Sequence, residues 1–470
     1  MGTDDIRSAL SRTSFDFRRP NGVDLIERTQ GFHDWLETCF DYGIWSYGRA
    51  TDQGPRRHVA ILNDRGERTE GVNFASQDYL SLAAHPEINA AAHEAIDTYG
   101  VHSAGSPALV GNTSSSLSLE EKIADFVKAD YVSLFPTGWA AGFGTITGLV
   151  RPFDHIVIDA LAHACLHSGA QAATKNISLF RHNQVEDARK KLAKIRAKDT
   201  ENGILLITEG LFSMDSDSPD LAAMQELADE YQATLFVDVA HDLGSMGPTG
   251  RGVLEKQNML GKVDIVMGSF SKTFASNGGF VATRKCGVRE YLRFYSSPNT
   301  FSNALSPIQT AVVSKAFDIV ASDEGRTLRD RNARNGIELR SFLKMAGFDV
   351  YGTLSPIVCA HIGEEDLGRV MGRKIAELGL IANLVEYPAV SRKQARFRFQ
   401  VMANHTSHDT IAASRILANA RSEVTDEKGR LKPLDELSWG PAAQSPLTAM
   451  AKVKEIGGTD EQAPSIAATG

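Results

Sequence analysis

The chain has 470 residues, 42% of them hydrophobic and 23% charged, with a formal net charge of −8. That length exceeds a single simple core and calls for a large domain with one or two smaller ones. The acidic balance argues against nucleic acid or an anionic membrane as partner, since either wants a basic face. The first residues mix acids and bases without an apolar run, unlike a signal peptide, and no apolar stretch reaches membrane-span length. Cys39, Cys165, Cys286 and Cys359 show no CxxC spacing, so neither a disulfide framework nor structural zinc is expected. A cytoplasmic, reducing location follows as the expectation.

Residues 1–70 read as a separate mixed segment, suited to wrapping a neighbouring subunit. Residues 71–322 read as the large domain. From Tyr131 the pattern repeats as strand, turn, helix, strand. Apolar, β-branched-rich runs at 131–135, 154–159, 202–208, 233–238 and 263–268 are separated by helix-length segments. That rhythm predicts an α/β domain with a mainly parallel sheet buried on both faces. Its active site should lie at the carboxyl ends of the strands. Residues 323–422 read as a smaller α+β domain: a charged helix over 323–345, strands near 355–361 and 396–402, then a helix over 407–421. The tail, 423–470, rich in Ala, Pro, Thr, Ser and Gly towards its end, is expected to be loosely ordered.

Lys272 follows a buried strand inside a turn of small residues, GSFSKTFASNGGF (268–280), with no opposite charge nearby in sequence. Such a lysine loses its proton readily and can serve as an amine nucleophile forming a Schiff base. The plainer reading is a strand-end lysine reaching solvent. Asp238 ends the strand LFVD, and His241 follows three residues later. An acid there is often only a helix cap. It is also where a carboxylate must sit to keep a cofactor's ring nitrogen protonated. In TGWAAGFG (137–144) a turn enters a helix, and free N–H groups at Gly138 and Trp139 would suit a phosphate. The spacing matches neither a dinucleotide fingerprint nor a P-loop. His163 and His167 are four apart, but the residues between them lack the glutamate of a zinc HExxH motif. A flat imidazole stacked on a flat cofactor ring is the better use, and no metal is expected. The acids of 209–220 lack a calcium loop's pattern and read as a turn and an N-cap.

Together these segments, in this order from about Asn73 to Ile411, resemble the α-oxoamine synthase family of pyridoxal-phosphate (PLP) enzymes of fold type I. GSFSK and the long N-terminal segment look most like the serine palmitoyltransferase branch. The resemblance implies that Lys272 carries PLP, Asp238 partners the pyridinium nitrogen, and His163 stacks on the ring. It implies that His241 and Ser213 surround the phenolic oxygen. Gly138, Trp139 and Ser269 would hold the phosphate, helped by Ser302 from a second subunit, hence a homodimer with shared active sites. Arg398, in ARFRFQVMANHT, would grip the amino-acid carboxylate, a task suited to a bidentate guanidinium.

Three positions depart from the family pattern. Gln77 replaces the usual Asn, Ala162 precedes His163 where Asn is frequent, and Pro107 stands where Arg or Gly is common. Gln77, and Ser106 beside Pro107, fall where the amino acid and acyl chain should sit. The implied activity is decarboxylative condensation of a small amino acid with an acyl thioester, CoA or carrier-protein bound, giving an α-amino ketone. The alternatives are another fold type I enzyme, such as an aminotransferase or lyase, or a regulatory subunit keeping the fold. A transaminase would leave pyridoxamine phosphate, whereas a synthase releases thiol and CO₂.

Overall fold

The computed structural model describes residues 3–63, 65–437 and 439. Helix Thr3–Ser11 and helix Gln30–Asp41 lead into three short strands, β1 (Ala50–Thr51), β2 (His58–Leu62) and β3 (Arg68–Asn73). The large sheet contains β4 (Tyr131–Phe135), β5 (His155–Asp159), β6 (Ile177–Phe180), β7 (Ile204–Glu209), β8 (Thr234–Asp238), β9 (Ile265–Ser269) and β10 (Gly279–Thr283). Its spatial order is β4-β10-β9-β8-β7-β5-β6. Strands β9, β8, β7, β5 and β6 run parallel, and β10 is antiparallel to both β9 and β4.

Alternation along each strand explains why both faces are covered. Val157 and Leu206 enter the core packed beneath helices Ser114–Val127 and Pro307–Ala321. Ile156, Ile158, Leu205 and Ile207 enter the opposite core, beneath helices Gly138–Leu149 and Ala164–Ala173. The five runs anticipated from sequence are all strands. β6 and β10 were not anticipated. ISLF (β6) is short and only half-buried, and GFVAT (β10) directly follows the lysine turn, so it reads as a continuation of that turn.

The small domain pairs β11 (Val350–Tyr351), β12 (Ile357–Gly363), β15 (Ala395–Gln400) and β14 (Asn383–Val385) in that order, all antiparallel. β13 (Leu380–Ile381) instead joins β3 in parallel. The helix Asp323–Met345 forms as expected, capped by Ser322 with Asp323 and Glu324 in its first turn. The helix Glu365–Glu377 went unread in sequence. It carries Arg369, buried against Glu386 at 2.8 Å and donating to the carbonyls of Ala9 and Arg12. Through these bonds and the buried Ile6, Leu10, Trp35 and Ile44, the N-terminal segment covers the small domain of its own chain. Of the stretch 423–470, Val424 still belongs to helix Ser407–Val424, and Leu431, Leu434, Leu437 and Trp439 pack on the same core. Residues 438 and 440–470 lie outside the described residues.

Candidate active site

The carboxyl ends of neighbouring strands converge on one place. Glu209 ends β7, Asp238 ends β8 and Ser269 ends β9. Lys272 follows three residues after β9. These residues line a cavity of ≈ 240 Å³ together with Gly138, Trp139, His163, His241, Ser271 and Asn277. Seven residues singled out from sequence, Lys272, Asp238, His163, His241, Gly138, Trp139 and Ser269, therefore meet at one site although they span 135 positions, 138 to 272 inclusive.

The titratable groups of the site are largely buried, two carboxyls beside one lysine and two histidines. Burial pushes the Lys272 ammonium below its ordinary pKa, against the pull of Asp238 and Glu209. Burial raises Asp238, opposed first by Lys272 and then by His163. Glu209 is raised well above the carboxylate range by burial and by Asp238 beside it. His241 is driven well below the usual imidazole value by burial, with Lys272 and Arg398 adding to it.

Glu209, Ser271 and Asn277 were missed in sequence. Glu209 was read as part of a polar turn, yet its Oε1 accepts the backbone N–H of His163 at 2.5 Å and so fixes the histidine-bearing turn. Its position at the end of an apolar run was the same signal used for Asp238. His163 is the N-cap of helix Ala164–Ala173, its Nδ1 accepting from the Cys165 N–H. That leaves its ring beside the cavity.

The other expected residues stand apart from this cavity. Gln77 lines an adjoining cleft of ≈ 530 Å³ that shares Ser271, Lys272 and Asn277 with it. Arg398 lies on β15, between Cys359 and Asn383 of the neighbouring strands, and its charge reaches Lys272, His163 and His241. Arg396, two residues earlier on the same face, is paired with Asp215. Among the described residues Arg398 has no acid partner, its Nε is buried without an acceptor, and it reaches only the Met214 sulfur at 3.5 Å. Ser213 is buried in the loop after β7 and is not among the cavity's lining residues. Ser302 and Ser106 also lie outside the cavity of their own chain. Their segments meet each other, since the Ala304 N–H donates to Gly105 and the Ser103 hydroxyl donates to Ala304. That face exposes Val101, Leu109, Val110 and Phe301.

Pyridoxal phosphate fits the cavity on its own terms. Thr137 caps helix Gly138–Leu149 through the Ala140 N–H, leaving the Gly138 and Trp139 N–H groups without an acceptor among the described residues. A side chain at Gly138 would collide with Ser269, so the turn lies against the strand end, and its free amides suit a small anion. A buried carboxylate and a buried lysine complete what a pyridine aldehyde needs. Sheet order, lysine turn and strand-end acid define a PLP-dependent enzyme of fold type I.

Residues 69–416 match the family model described as aminotransferase class I and II. The chain is 34% identical to an 8-amino-7-oxononanoate synthase of Thermoanaerobacter pseudethanolicus, over 73% of this chain and 86% of that one. It is 33% identical to a serine palmitoyltransferase of Sphingobacterium spiritivorum, over 81% and 93% respectively. The solved serine palmitoyltransferase from S. paucimobilis, with a bound PLP–myriocin aldimine, superposes with a TM-score of 0.79 at 27% identity, covering 85% of this chain and 98% of that one. The chain belongs to the α-oxoamine synthase family; it is a C-acyltransferase, and its cofactor is pyridoxal phosphate. Among the described residues no helix is long and apolar enough to cross a membrane.

Proposed function

We propose that the protein joins a small amino acid to an acyl thioester with loss of CO₂, giving an α-amino ketone, in the manner of serine palmitoyltransferase. The observation that carries this reading is Arg398, a half-buried guanidinium without an acid partner among the described residues, beside a cavity that already holds Lys272 and Asp238. It is suited to the carboxylate of an incoming amino acid.

When bound, the cofactor supplies a ring that spreads the negative charge left on Cα. Lys272 would hold the cofactor through its aldehyde carbon, and its amine, once freed, would take the proton from the amino acid's Cα. Asp238 keeps a proton on the ring nitrogen. His163 would stack on the ring, and His241 and Ser213 would flank its phenolic oxygen. The Gly138 and Trp139 amides and the Ser269 hydroxyl take the phosphate. Gln77, in the adjoining cleft, faces the thioester, with Ser106 near the acyl chain. The exposed apolar face around Phe301 and Val110 suits a second copy of the chain, which would bring each Ser302 to the other protomer's phosphate. Such a homodimer would work in the cytoplasm.

The test mixes holoenzyme with glycine, serine and alanine in turn, following the visible spectrum. Thiol release is then measured across acyl-CoA lengths and a carrier-protein thioester. The expected result is one amino acid that perturbs the spectrum and supports release of thiol and CO₂. Accumulation of pyridoxamine phosphate without thiol would refute the reading in favour of a transaminase.

A further inference from the structure

Tyr79 has no role in the assignments above. It lies in the turn after β3 and its side chain is fully buried. Its hydroxyl stands 2.8 Å from Nδ1 of His241, a wall of the cavity. Its carbonyl accepts from the Asn332 amide and from the Ala403 N–H, both at 2.9 Å. The same Asn332 amide donates to Val401 at 2.7 Å. Beside it, the Asp78 carboxylate takes the N–H groups of Leu82 and Ala83 and closes the turn. Tyr79 is thus held by the small domain on one side and touches a cavity residue of the large domain on the other.

His241 has two ring nitrogens. Nδ1 meets Tyr79, Nε2 makes no hydrogen bond among the described residues, and the ring lines the cavity. Burial and the charges of Lys272 and Arg398 keep the imidazole neutral, so only one nitrogen carries a proton. Burial raises the Tyr79 phenol, so it stays protonated and can donate. A nitrogen that accepts from the phenol cannot carry the proton itself.

We propose that Tyr79 is a positioning residue: by donating its hydroxyl proton to Nδ1 it holds His241 as the Nε2–H tautomer, with that N–H aimed into the cavity. The inference rests on the placement of His241 beside the cofactor's phenolic oxygen. An N–H there stabilises an oxygen anion, whereas a nitrogen lone pair would repel it. With the hydroxyl gone, the proton is free to move to Nδ1 and the oxygen loses its donor for part of the time. The oxygen then binds the proton it shares with the lysine nitrogen more tightly.

The experiment titrates the visible absorbance of the holoenzyme against pH for the unaltered protein, Tyr79→Phe, His241→Ala and the double variant. Tyr79→Phe should raise the midpoint by about one unit. His241→Ala should raise it at least as far, and adding Tyr79→Phe to it should change nothing more, because Tyr79 acts only through the histidine. A merely structural tyrosine would not move this midpoint. A shift with His241→Ala and none with Tyr79→Phe overturns the inference and leaves the proposed function standing. No shift in either variant removes His241 from the phenolic oxygen, and the inference falls with that placement. Nitrogen-15 spectra of histidine-labelled holoenzyme, assigned against His241→Ala, read the tautomer without altering Tyr79. A protonated Nε2 supports the inference, and a protonated Nδ1 overturns it.

Discussion

Glu209 and Asp238 occupy paired register positions at the ends of adjacent parallel strands, and both line the cavity that holds Lys272. Two buried carboxylates one strand apart cannot both be ionised cheaply, and the pair must share the protons. Glu209 is the one held more strongly in its neutral form, raised by burial and by Asp238. Asp238 is the one that Lys272 and His163 favour as an anion.

Glu209→Gln should therefore be mild, since an amide oxygen can still accept the His163 N–H. Cofactor absorbance should persist and kcat/KM should stay within about tenfold. Asp238→Asn removes the charge that keeps the ring nitrogen protonated and should lower kcat by about 10²-fold or more. Steady-state kinetics on both variants check the pair. A larger loss in Glu209→Gln than in Asp238→Asn would mean that the two acids have been assigned the wrong way round.

Arg398→Ala should leave the cofactor spectrum unchanged and raise KM for the amino acid roughly 10- to 100-fold, the worth of one lost charge-assisted contact. Arg398→Lys should recover only part of it, because the fork geometry is gone. Titration of the holoenzyme with amino acid, read by absorbance, gives the dissociation constant directly. Unchanged affinity would separate Arg398 from the carboxylate.

His182 joins Asp159 and Asp217, at 3.0 Å and 3.1 Å, behind the turn that carries His163. Burial alone would lower its pKa, but hydrogen bonds to Asp159 and Asp217 raise it from 6.5 to about 10. A raised value in the folded state means stability that is complete below pH 6.5 and lost as the pH climbs through about 10. Thermal melts from pH 6 to 10.5 should show Tm falling across that window in the unaltered protein. In His182→Asn the fall should be much shallower. Parallel curves would remove the imidazolium from the account.

Arg369 and Glu386 form a buried, two-point ion pair, and Arg369 also holds the Ala9 and Arg12 carbonyls. Arg369→Ala strands a buried carboxylate and frees the N-terminal segment. A cost of about 3–5 kcal/mol is expected in urea unfolding. The variant should also be cut earlier by protease within the first residues. Wild-type stability in this variant would mean that the segment is held by its apolar contacts alone.

Much of the site was legible before any fold was known, for a physical reason. Apolar runs four to six residues long mark buried strands, and whatever follows them lies at the active edge of a parallel sheet. Lys272, Asp238 and the Gly138 turn were readable from that alone. His163, Ser269 and Arg398 needed the family resemblance as well, because a histidine, serine or arginine at those places has many bland uses.

What the order of residues could not contain is which strand ends become neighbours. Glu209 went unread because its importance comes from pairing beside Asp238, a partner 29 positions away. Tyr79 was not singled out in the sequence, and only the packing of its turn against β8's loop brings its hydroxyl to His241. Local composition decides what a strand or turn is. The sheet order and the packing of one domain on another decide which side chains share a dry cavity, and therefore which protons are held there.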